Sequence, residues 1–417
     1  MNVLVYGARG FIGAALCERL ESCGHTVIRG VRRTVLPQDR EIDYTRELSL
    51  AQWDTVLHGV DAVVNAVGIL VEDRRQRFDK VHTQAPQALF DACRRHGIRC
   101  VVQISALGAH DGSTAYFRSK RAADDYLLAL PVAGWVVRPA LVYGASGASA
   151  SFFRALSSFP LHLLPAGGRQ LLRPVHANEL AEAVERLVSG TLREAGVVEI
   201  VGGEAMEYRE MLAIYRARLG FGRAWQVSVP GWLIGSMAML LDRVPGSMLT
   251  RDTWHMLQTG STADVTQTTT LLGRPPTGLR QFIGADAQAL RDRALNAWRL
   301  PMLRAVLAFV WLWTAVVSVF VYPRDSSMAL LARSHLHGGL AIASFWLATV
   351  IDFVFGVMTL VRPGRSLWLA QAGVIAAYSV IIAFTMPELL WHPFGPLLKN
   401  LPVLAILMIL FSEESAR

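Results

Sequence analysis

The sequence predicts an α/β domain built on a doubly wound parallel sheet with a small second subdomain, followed by an all-α bundle of four transmembrane helices. Three observations support this fold class. Short apolar strands alternate with helical stretches over the first part of the chain. Hydrophobic residues make up 52% of the 417 residues, and the mean hydropathy of +0.33 is too high for an ordinary soluble enzyme. Long apolar segments follow residue 300.

We expect the α/β domain to cover residues 1–290 and the membrane domain residues 300–417. Glycine, serine and proline become more frequent from Ala145 onward, which indicates that the second subdomain lies largely within residues 145–290. A proline- and glycine-rich linker at residues 273–278 and a helical stretch precede the first long apolar segment. The two domains are therefore expected to be consecutive along the chain.

The first strand, at residues 3–6, ends in three glycines spaced three apart and passes directly into a helical stretch. In this context Gly7 permits a sharp turn, Gly10 lets backbone N–H groups approach a pyrophosphate, and Gly13 lets the helix pack on the strand. The turn therefore predicts the phosphate site of a dinucleotide. The residues expected to bind the cofactor here are Gly7, Arg9, Gly10, Phe11, Ile12 and Gly13.

The end of the second strand, at residues 25–31, indicates which dinucleotide is bound. A carboxylate there would accept a hydrogen bond from the ribose of NAD, whereas arginine neutralises the 2′-phosphate of NADP. Arg32 follows this strand and Arg9 lies in the glycine turn, so we expect NADP (NADPH) rather than NAD. The alternative is that both arginines are solvated surface charges.

Two further strand ends are expected to contact the cofactor. A short strand at residues 41–44 brings Asp43 and Tyr44 toward the adenine. A stronger strand at residues 60–65 ends in a turn of small residues, Ala66, Val67 and Gly68, which we expect to lie against the cofactor. Ligands of such sheets bind at the carboxyl ends of the strands, where all of these residues fall.

The next strand and the helix that follows it carry three residues that form a candidate catalytic set. Ser105 ends the strand at residues 99–105, and Tyr116 and Lys120 share one face of the following helix because they are four residues apart. A nearby ammonium would lower the pKa of the phenol toward neutrality. Tyr116 could then exchange a proton with a substrate oxygen held by Ser105. Tyr116 and Lys120 are also expected to bind the cofactor, Lys120 at the nicotinamide ribose. Taken alone, the tyrosine–lysine pair would more often be an amphipathic surface pair.

The combined motifs resemble the extended and atypical short-chain dehydrogenase/reductases, most closely the branch of the NADPH-binding accessory subunit of respiratory complex I. The similarity covers roughly residues 1–290 and implies a Rossmann domain with a catalytic set of Ser105, Tyr116 and Lys120. It also implies that the cofactor is bound by Gly7, Gly10, Gly13 and Arg32. The matching motifs are Gly7-x-x-Gly10-x-x-Gly13, Asn65-Ala-Val-Gly68, Ile104-Ser105-Ala-Leu-Gly108, Tyr116-x-x-x-Lys120 and Val137-Arg-Pro-Ala-Leu-Val-Tyr-Gly144. The interval from Ser105 to Tyr116 is shorter than in sugar-nucleotide epimerases, which disfavours sugar-nucleotide chemistry.

The resemblance implies a membrane-tethered NADP(H)-dependent oxidoreductase acting on a carbonyl or hydroxyl group. Because a tethered enzyme meets molecules that partition into the bilayer, we expect a hydrophobic or lipid-like substrate and contact with membrane lipids. The alternative is a non-catalytic NADPH-binding module that serves assembly or redox sensing, with a protein partner in a membrane complex. An apolar run at residues 232–241 is too short to span a bilayer and would either roof the substrate cleft or lie in the membrane interface.

Four apolar segments are expected to span the membrane, at residues 303–322, 338–361, 367–386 and 396–411. Basic residues are concentrated before the first segment and, at Arg362 and Arg365, between the second and third. The positive-inside rule then predicts a multi-pass protein of the cytoplasmic (inner) membrane with the Rossmann domain and both termini in the cytoplasm. In length and layout this region resembles the DoxX-like four-helix membrane family.

The remaining charged and histidine residues argue against a nucleic-acid site and against a metal site. The net charge of +8 comes without a basic helix or zinc-finger spacing, so we expect no nucleic acid and assign the charge to anionic lipid. His335 and His337 lack a nearby carboxylate or cysteine, so no metal is assigned. Asp352, an acid deep in the second apolar segment, is expected either to handle protons or quinone, or to pair with an arginine such as Arg304.

Overall fold

The structure is a computed structural model that describes residues 1–43, 49–73, 75–192, 194–244, 246–393 and 395–414. The chain divides into two compact units, Met1–Ala294 and Leu295–Arg417. The first unit contains a parallel sheet flanked by helices, and the second contains long apolar helices.

A seven-stranded sheet in the order β11-β6-β5-β4-β1-β2-β3 organises the first unit, and all its strand pairs are parallel. Three small two-stranded sheets pair β7 with β10, β8 with β13 and β9 with β12. The strands are β1 (Asn2–Tyr6), β2 (Thr26–Val31), β3 (Asp39–Glu41), β4 (Ala62–Asn65), β5 (Cys100–Ile104), β6 (Gly134–Pro139), β7 (Val142–Tyr143), β8 (Leu161–Pro165), β9 (Leu171–Leu172), β10 (Val175–His176), β11 (Val197–Ile200), β12 (Met206–Glu207) and β13 (Trp225–Val229).

Helices cover both faces of this sheet, as the alternation of strands and helices predicted. Along β1, Val3 and Val5 belong to the core on one face, whereas Leu4 and Tyr6 belong to the core on the other. The helices are α1 (Phe11–Ser22), α2 (Leu50–Leu57), α3 (Ala85–Arg95), α4 (Ala115–Ala129), α5 (Ala148–Ser158), α6 (Ala177–Val188), α7 (Tyr208–Arg218), α8 (Gly231–Leu241), α9 (Arg251–Thr259) and α10 (Thr266–Leu272). A π-helical stretch, Asp79–Gln84, precedes α3.

A third core lies within the later part of the first unit. It is centred on Tyr143, whose ring stacks on Tyr215 at 5.8 Å and on Phe282 at 5.1 Å between ring centroids. This cluster packs α5 against α7 and is separate from the two cores of the sheet. The small subdomain therefore has an apolar core of its own.

The second unit contains helices of membrane-spanning length, which is consistent with a DoxX-like bundle. The helical stretches Gly338–Val361 and Arg365–Thr385 are long enough to cross a bilayer, as is Ala287–Val321, whose first eight residues belong to the first unit. The fourth predicted segment forms a helix of only 14 residues. The helices are α11 (Ala287–Val316), α12 (Arg324–Arg333), α13 (Gly338–Val361), α14 (Arg365–Thr385) and α15 (Asn400–Glu413).

Side-chain hydrogen bonds join the helices of the second unit. The buried Gln371 accepts a bond from Trp311 Nε1 and donates one to Thr359 Oγ1, both at 2.9 Å. Such bonds link apolar helices because hydrocarbon offers no alternative partner. Arg304 pairs with Glu414, so the suggested pairing of Arg304 with Asp352 is not what the structure shows.

Gly13 tests how tightly α1 must approach β1. A methyl group at this position would lie 2.1 Å from the backbone oxygen of Gly7, and backbone cannot move aside as a side chain can. We expect Gly13→Ala to lower the stability of the first unit by about 1–3 kcal/mol or more and to abolish dinucleotide binding. Thermal unfolding of the purified full-length protein measures the first effect. Gly196→Ala, where a methyl group would contact nothing within 4 Å, is the matched control; equal melting of the two variants would contradict the prediction.

Candidate active site

The glycine turn lies between β1 and α1, as the sequence predicted. Gly7 has φ +86°, a conformation that L side chains rarely adopt, and its carbonyl accepts a bond from the Gly10 N–H at 2.9 Å. Gly10 precedes the first turn of α1, and no side chain caps that helix. The first N–H groups of α1 are therefore available to an anion, which suits a pyrophosphate.

Phe11 and Ile12 belong to the same turn but point to apolar surroundings. A methyl group at Gly144 would lie 2.4 Å from the Phe11 ring, so the ring fills the space that Gly144 leaves open. Ile12 packs against the sheet core that contains Val3 and Val5. These two residues therefore support the turn with their side chains, and only their backbone groups are placed to face a phosphate.

Arg9 is held by a carboxylate that sequence analysis did not single out. Its Nη2 lies 2.8 Å from Asp39 Oδ2, and the same oxygen accepts bonds from the backbone N–H groups of Val35 and Leu36. These N–H groups, with Arg9, hold the pKa of Asp39 below its usual range. Nothing in the sequence marked Asp39, because it lies at the start of a three-residue strand.

The other residues expected near the adenosine lie at the ends of β2 and β3. Arg32 is exposed directly after β2. The third strand ends at Glu41, earlier than predicted, so Asp43 follows it and is half-buried. Tyr44 lies outside the described residues. Arg32 and Asp43 thus follow the carboxyl ends of their strands, as the glycine turn follows the carboxyl end of β1.

The turn after β4 lies beside the glycine turn. A methyl group on Gly7 would come within 3.0 Å of Val67 Cγ2 and 3.2 Å of the Ala66 carbonyl carbon. The Val67 N–H donates to Asn65 Oδ1 at 3.2 Å, and Asn65 Nδ2 donates to Gln103 Oε1 at 2.6 Å. These buried amides fix the turn that carries Gly68, which is exposed.

Lys120 connects this turn to the end of β5. Its buried ammonium donates to the backbone oxygens of Ile104 at 3.1 Å and Val67 at 3.4 Å. The same Nζ would lie 3.2 Å from a methyl group on Gly68. Burial lowers the pKa of Lys120 to about 8. Lys120 is therefore placed against two of the strand ends where a dinucleotide would lie.

Ser105 binds a second acid that sequence analysis missed, Asp124. The Ser105 hydroxyl donates to Asp124 Oδ2 at 2.7 Å, and the buried Arg138 pairs with the same oxygen at 3.2 Å. Burial raises the pKa of Asp124 to about 6 despite these partners. A signal was available in the sequence, because Tyr116, Lys120 and Asp124 follow each other at four-residue intervals on one helix.

The Tyr116 ring packs against aromatic rings in and immediately before the π-helical stretch. Its ring meets His82 edge-on at 5.4 Å and Phe78 at 5.7 Å between centroids. Burial, together with the negative charge of Asp124, raises the pKa of Tyr116 to about 12. This differs from the expectation that Lys120 would lower it. The phenol therefore keeps its proton at neutral pH.

His82 is buried and supports the site without titrating in the neutral range. Its Nε2 accepts from the Ile69 N–H at 3.0 Å, which leaves the proton on Nδ1 facing Ser119 Oγ at 3.0 Å. Burial and the Lys120 ammonium lower the pKa of His82 to about 2. A neutral His82 thus joins the turn after β4 to helix α4.

The small subdomain reaches this site through α9. The Tyr116 backbone N–H donates to Asp252 Oδ2 at 3.3 Å, across 136 residues of sequence. Asp252 lies in the first turn of α9, and no local pattern in the sequence connected it to Tyr116. The assembled groups can transfer a proton at the Tyr116 hydroxyl and hold a polar substrate atom at Ser105.

Two family models match the chain. Residues 3–191 match the NAD dependent epimerase/dehydratase family, and residues 308–408 match the DoxX-like family. An uncharacterised chloroplastic protein of Arabidopsis thaliana is 29% identical over 44% of this chain and 70% of its own length. A ceramide reductase of Caulobacter vibrioides is 30% identical over 34% of this chain and 46% of its own length. The mitochondrial NADH-ubiquinone oxidoreductase 40 kDa subunit of Neurospora crassa is 21% identical over 57% of this chain and 65% of its own length.

Solved structures share the fold of the first unit. An NADPH-dependent quinone oxidoreductase of Escherichia coli has a TM-score of 0.54, with 17% identity over 68% of this chain and 98% of that one. A UDP-glucuronic acid 4-epimerase of Bacillus cereus, solved with NAD, has a TM-score of 0.53, with 16% identity over 72% and 100%. At these identities the likeness shows the fold alone.

Removing one partner of the buried Asp124–Arg138 pair should destabilise the protein far more than removing one partner of a surface pair on helix α4. Removing one partner leaves the other charge buried, which typically costs about 3–5 kcal/mol, whereas exposed pairs contribute about 0.2–1 kcal/mol. We expect Asp124→Asn and Arg138→Met each to lower the melting temperature strongly, and the double variant to lose less than their sum. Arg121→Ala and Asp125→Asn, which break an exposed 3.3 Å pair, are the controls. Additive losses at both pairs would contradict this coupling.

The fold, the glycine turn and the family matches identify the same kind of domain. Similarity to the complex I 40 kDa subunit supports the branch that the sequence motifs suggested. The chain combines an NAD-dependent epimerase/dehydratase-type Rossmann domain of the short-chain dehydrogenase/reductase kind with a C-terminal DoxX-like membrane domain.

Proposed function

We propose that the protein is a membrane-tethered, NADP(H)-dependent reductase that acts on a carbonyl group of a hydrophobic substrate. Ser105, Tyr116 and Lys120 would be its catalytic residues, and the glycine turn, Arg32, Asp43 and the turn after β4 would bind the cofactor. The main support is the buried group on α4, in which Lys120 binds the ends of β4 and β5 and Asp124 binds Ser105. The matches to the NAD dependent epimerase/dehydratase family and to a ceramide reductase support an enzyme of this type.

The residues of this chain would divide the chemistry in a simple way. When bound, a reduced nicotinamide supplies the hydride that attacks the carbonyl carbon. The Tyr116 hydroxyl gives its proton to the carbonyl oxygen, and solvent later returns a proton to the phenolate. Ser105 donates its only hydrogen to Asp124, so toward a substrate its oxygen can act only as an acceptor, for example from the hydroxyl of the alcohol product.

The pKa of Tyr116 favours the reductive direction. A phenol with a pKa of about 12 is protonated at neutral pH and can act as an acid in every turnover. Alcohol oxidation would need the phenolate, whose fraction at neutral pH is very small. The low dielectric that raises this pKa also strengthens the interactions of a charged cofactor with Lys120.

The preference for NADP rests on Arg32 and Arg9, and Arg32 is the stronger candidate. Arg9 is already paired with Asp39, so it would have to leave that carboxylate to reach a 2′-phosphate. Arg32 follows β2 directly, where a 2′-phosphate would lie. Solved structures that share the fold contain NAD in one case and NADPH in another, so the cofactor preference is part of the proposal.

The membrane setting completes the proposal. We assign the substrate subdomain to residues 145–290 and place the protein in the cytoplasmic membrane with its Rossmann domain and both termini in the cytoplasm. The arginines around the apolar helices support that orientation. A substrate from the bilayer agrees with the short Ser105–Tyr116 interval, which disfavours nucleotide sugars.

A second candidate function is a non-catalytic NADPH-binding module in a membrane complex. The observation that favours it is the match to the complex I 40 kDa subunit, which extends over 252 residues. This alternative predicts tight NADPH retention with no oxidation by any carbonyl compound. It would keep the role of the glycine turn and give no catalytic role to Ser105, Tyr116 or Lys120.

Tyr116→Phe separates the two functions. If Tyr116 is the proton donor, NADPH oxidation in the presence of a membrane lipid extract should fall about 10²- to 10⁴-fold, while NADPH affinity, measured by fluorescence titration, stays the same. Tyr126→Phe is the matched control, because Tyr126 lies on the same helix and its hydroxyl binds Asp91 at 2.9 Å. Tight NADPH binding without oxidation by the unaltered protein would favour the non-catalytic module.

Arg32→Ala tests the cofactor preference. Loss of a charge-assisted contact to the 2′-phosphate costs about 1.5–3 kcal/mol, so NADPH affinity should fall about ten- to hundredfold while NADH affinity stays constant. Arg33→Ala, at the next exposed position, is the control. The same titration with both cofactors measures all three proteins, and an unchanged ratio of affinities in Arg32→Ala would remove this residue from cofactor selection.

A further inference from the structure

Helix α8 turns its apolar face outward. Its exposed residues cover an arc of about 160° at 100° per residue, and the only polar one is a serine. Trp232 is 73% exposed and Leu240 is 68% exposed, whereas Ile234 and Ala238 face the interior. The exposed residues are Trp232, Leu233, Ser236, Met237, Met239 and Leu240. A surface helix in water normally shows the opposite pattern.

A second apolar face lies on the small sheet that immediately precedes α8. In the parallel pair of β8 and β13, Leu161 is opposite Trp225 and Leu163 is opposite Val227. Paired residues share a face, and these four side chains are all exposed, Trp225 by 80%. Strand β13 ends at Val229 and α8 begins at Gly231, so the two apolar faces are consecutive in the chain.

The charges around these faces suit an anionic surface. Residues 221–241 contain a single charged residue, Arg223, and no acid. Arg169 and Arg243, also exposed, flank β8 and α8 respectively. Within the described parts of the chain, these three arginines form no ion pair, whereas the neighbouring acid Asp242 is already paired with Arg251.

We infer that the face of α8, together with the exposed face of β8 and β13, docks the first unit onto the surface of an anionic lipid bilayer. Tryptophan, leucine and methionine would enter the headgroup boundary, and the three arginines would meet lipid phosphates. A bilayer is the occupant because the same chain carries helices long enough to span one. Surface of this kind exposed to water would instead favour aggregation.

This docking surface lies one helix away from the candidate active site. The Trp254 side chain of α9 packs with Ile234 and Ala238 on the inner side of α8. From the first turn of the same α9, Asp252 accepts the bond from the Tyr116 backbone N–H. A bilayer-derived substrate would therefore enter next to Tyr116. The docking itself goes beyond the proposed reaction and does not depend on turnover.

Spin-label accessibility in the full chain tests this inference. The protein is reconstituted in vesicles of phosphatidylcholine and phosphatidylglycerol, with Cys23→Ser removing the exposed cysteine and a label attached at Met237→Cys. Oxygen concentrates in lipid, whereas a nickel chelate stays in water. We expect the ratio of oxygen collisions to nickel-chelate collisions to be several-fold higher for this label than for a label at Leu128→Cys. Leu128 is an exposed apolar residue of α4 and is the matched control.

Two outcomes would overturn the inference. A label at residue 237 that behaves like the one at residue 128 would show that α8 faces water. A label shielded from both oxygen and the nickel chelate would show that protein, either the membrane domain or a second copy, covers α8. Leu240→Cys provides a second labelling site on the same face if Met237→Cys folds poorly. NADPH binding by each labelled protein confirms that its Rossmann domain is folded and keeps this test independent of catalysis.

Discussion

The buried ammonium of Lys120 is the interaction on which the candidate site depends. It donates to backbone oxygens at the ends of both β4 and β5, so it fixes helix α4 against the edge of the sheet where the cofactor is expected. A buried lysine costs free energy unless its hydrogen bonds are satisfied, and burial lowers its pKa to about 8. The parallel sheet supplies these acceptors because its strands end at the same edge.

Asp124 gives this arrangement its electrostatic character. One carboxylate oxygen serves both the Ser105 hydroxyl and the Arg138 guanidinium, and its negative charge favours protonated Tyr116. The site therefore holds a neutral phenol, a neutral His82 and a cationic lysine at neutral pH. Such a set is suited to giving a proton to a carbonyl oxygen, as the proposed reduction requires.

The two units place their polar and apolar side chains differently, and helix α8 of the first unit resembles the second unit in exposing apolar side chains. Inside the second unit, Gln371 satisfies its polar groups with Trp311 and Thr359, as a protein surrounded by hydrocarbon must. In the first unit, α8 presents tryptophan, leucine and methionine outward. The inner side of α8 nevertheless packs well, through Ile234, Ala238 and Trp254. This combination suits a helix that contacts lipid on one side and protein on the other.

The sequence by itself determined the α/β class, the glycine turn and the apolar helices, because these depend on local periodicity and on the conformational freedom of glycine. It also placed Ser105, Tyr116 and Lys120 in order, since strand ends and helix faces follow from short-range spacing. Only the tertiary structure decided that Asp39 holds Arg9 and that Asp252 reaches Tyr116, because these contacts join residues 30 and 136 positions apart. The high pKa of Tyr116 was likewise decided by burial, which no local pattern of residues reveals.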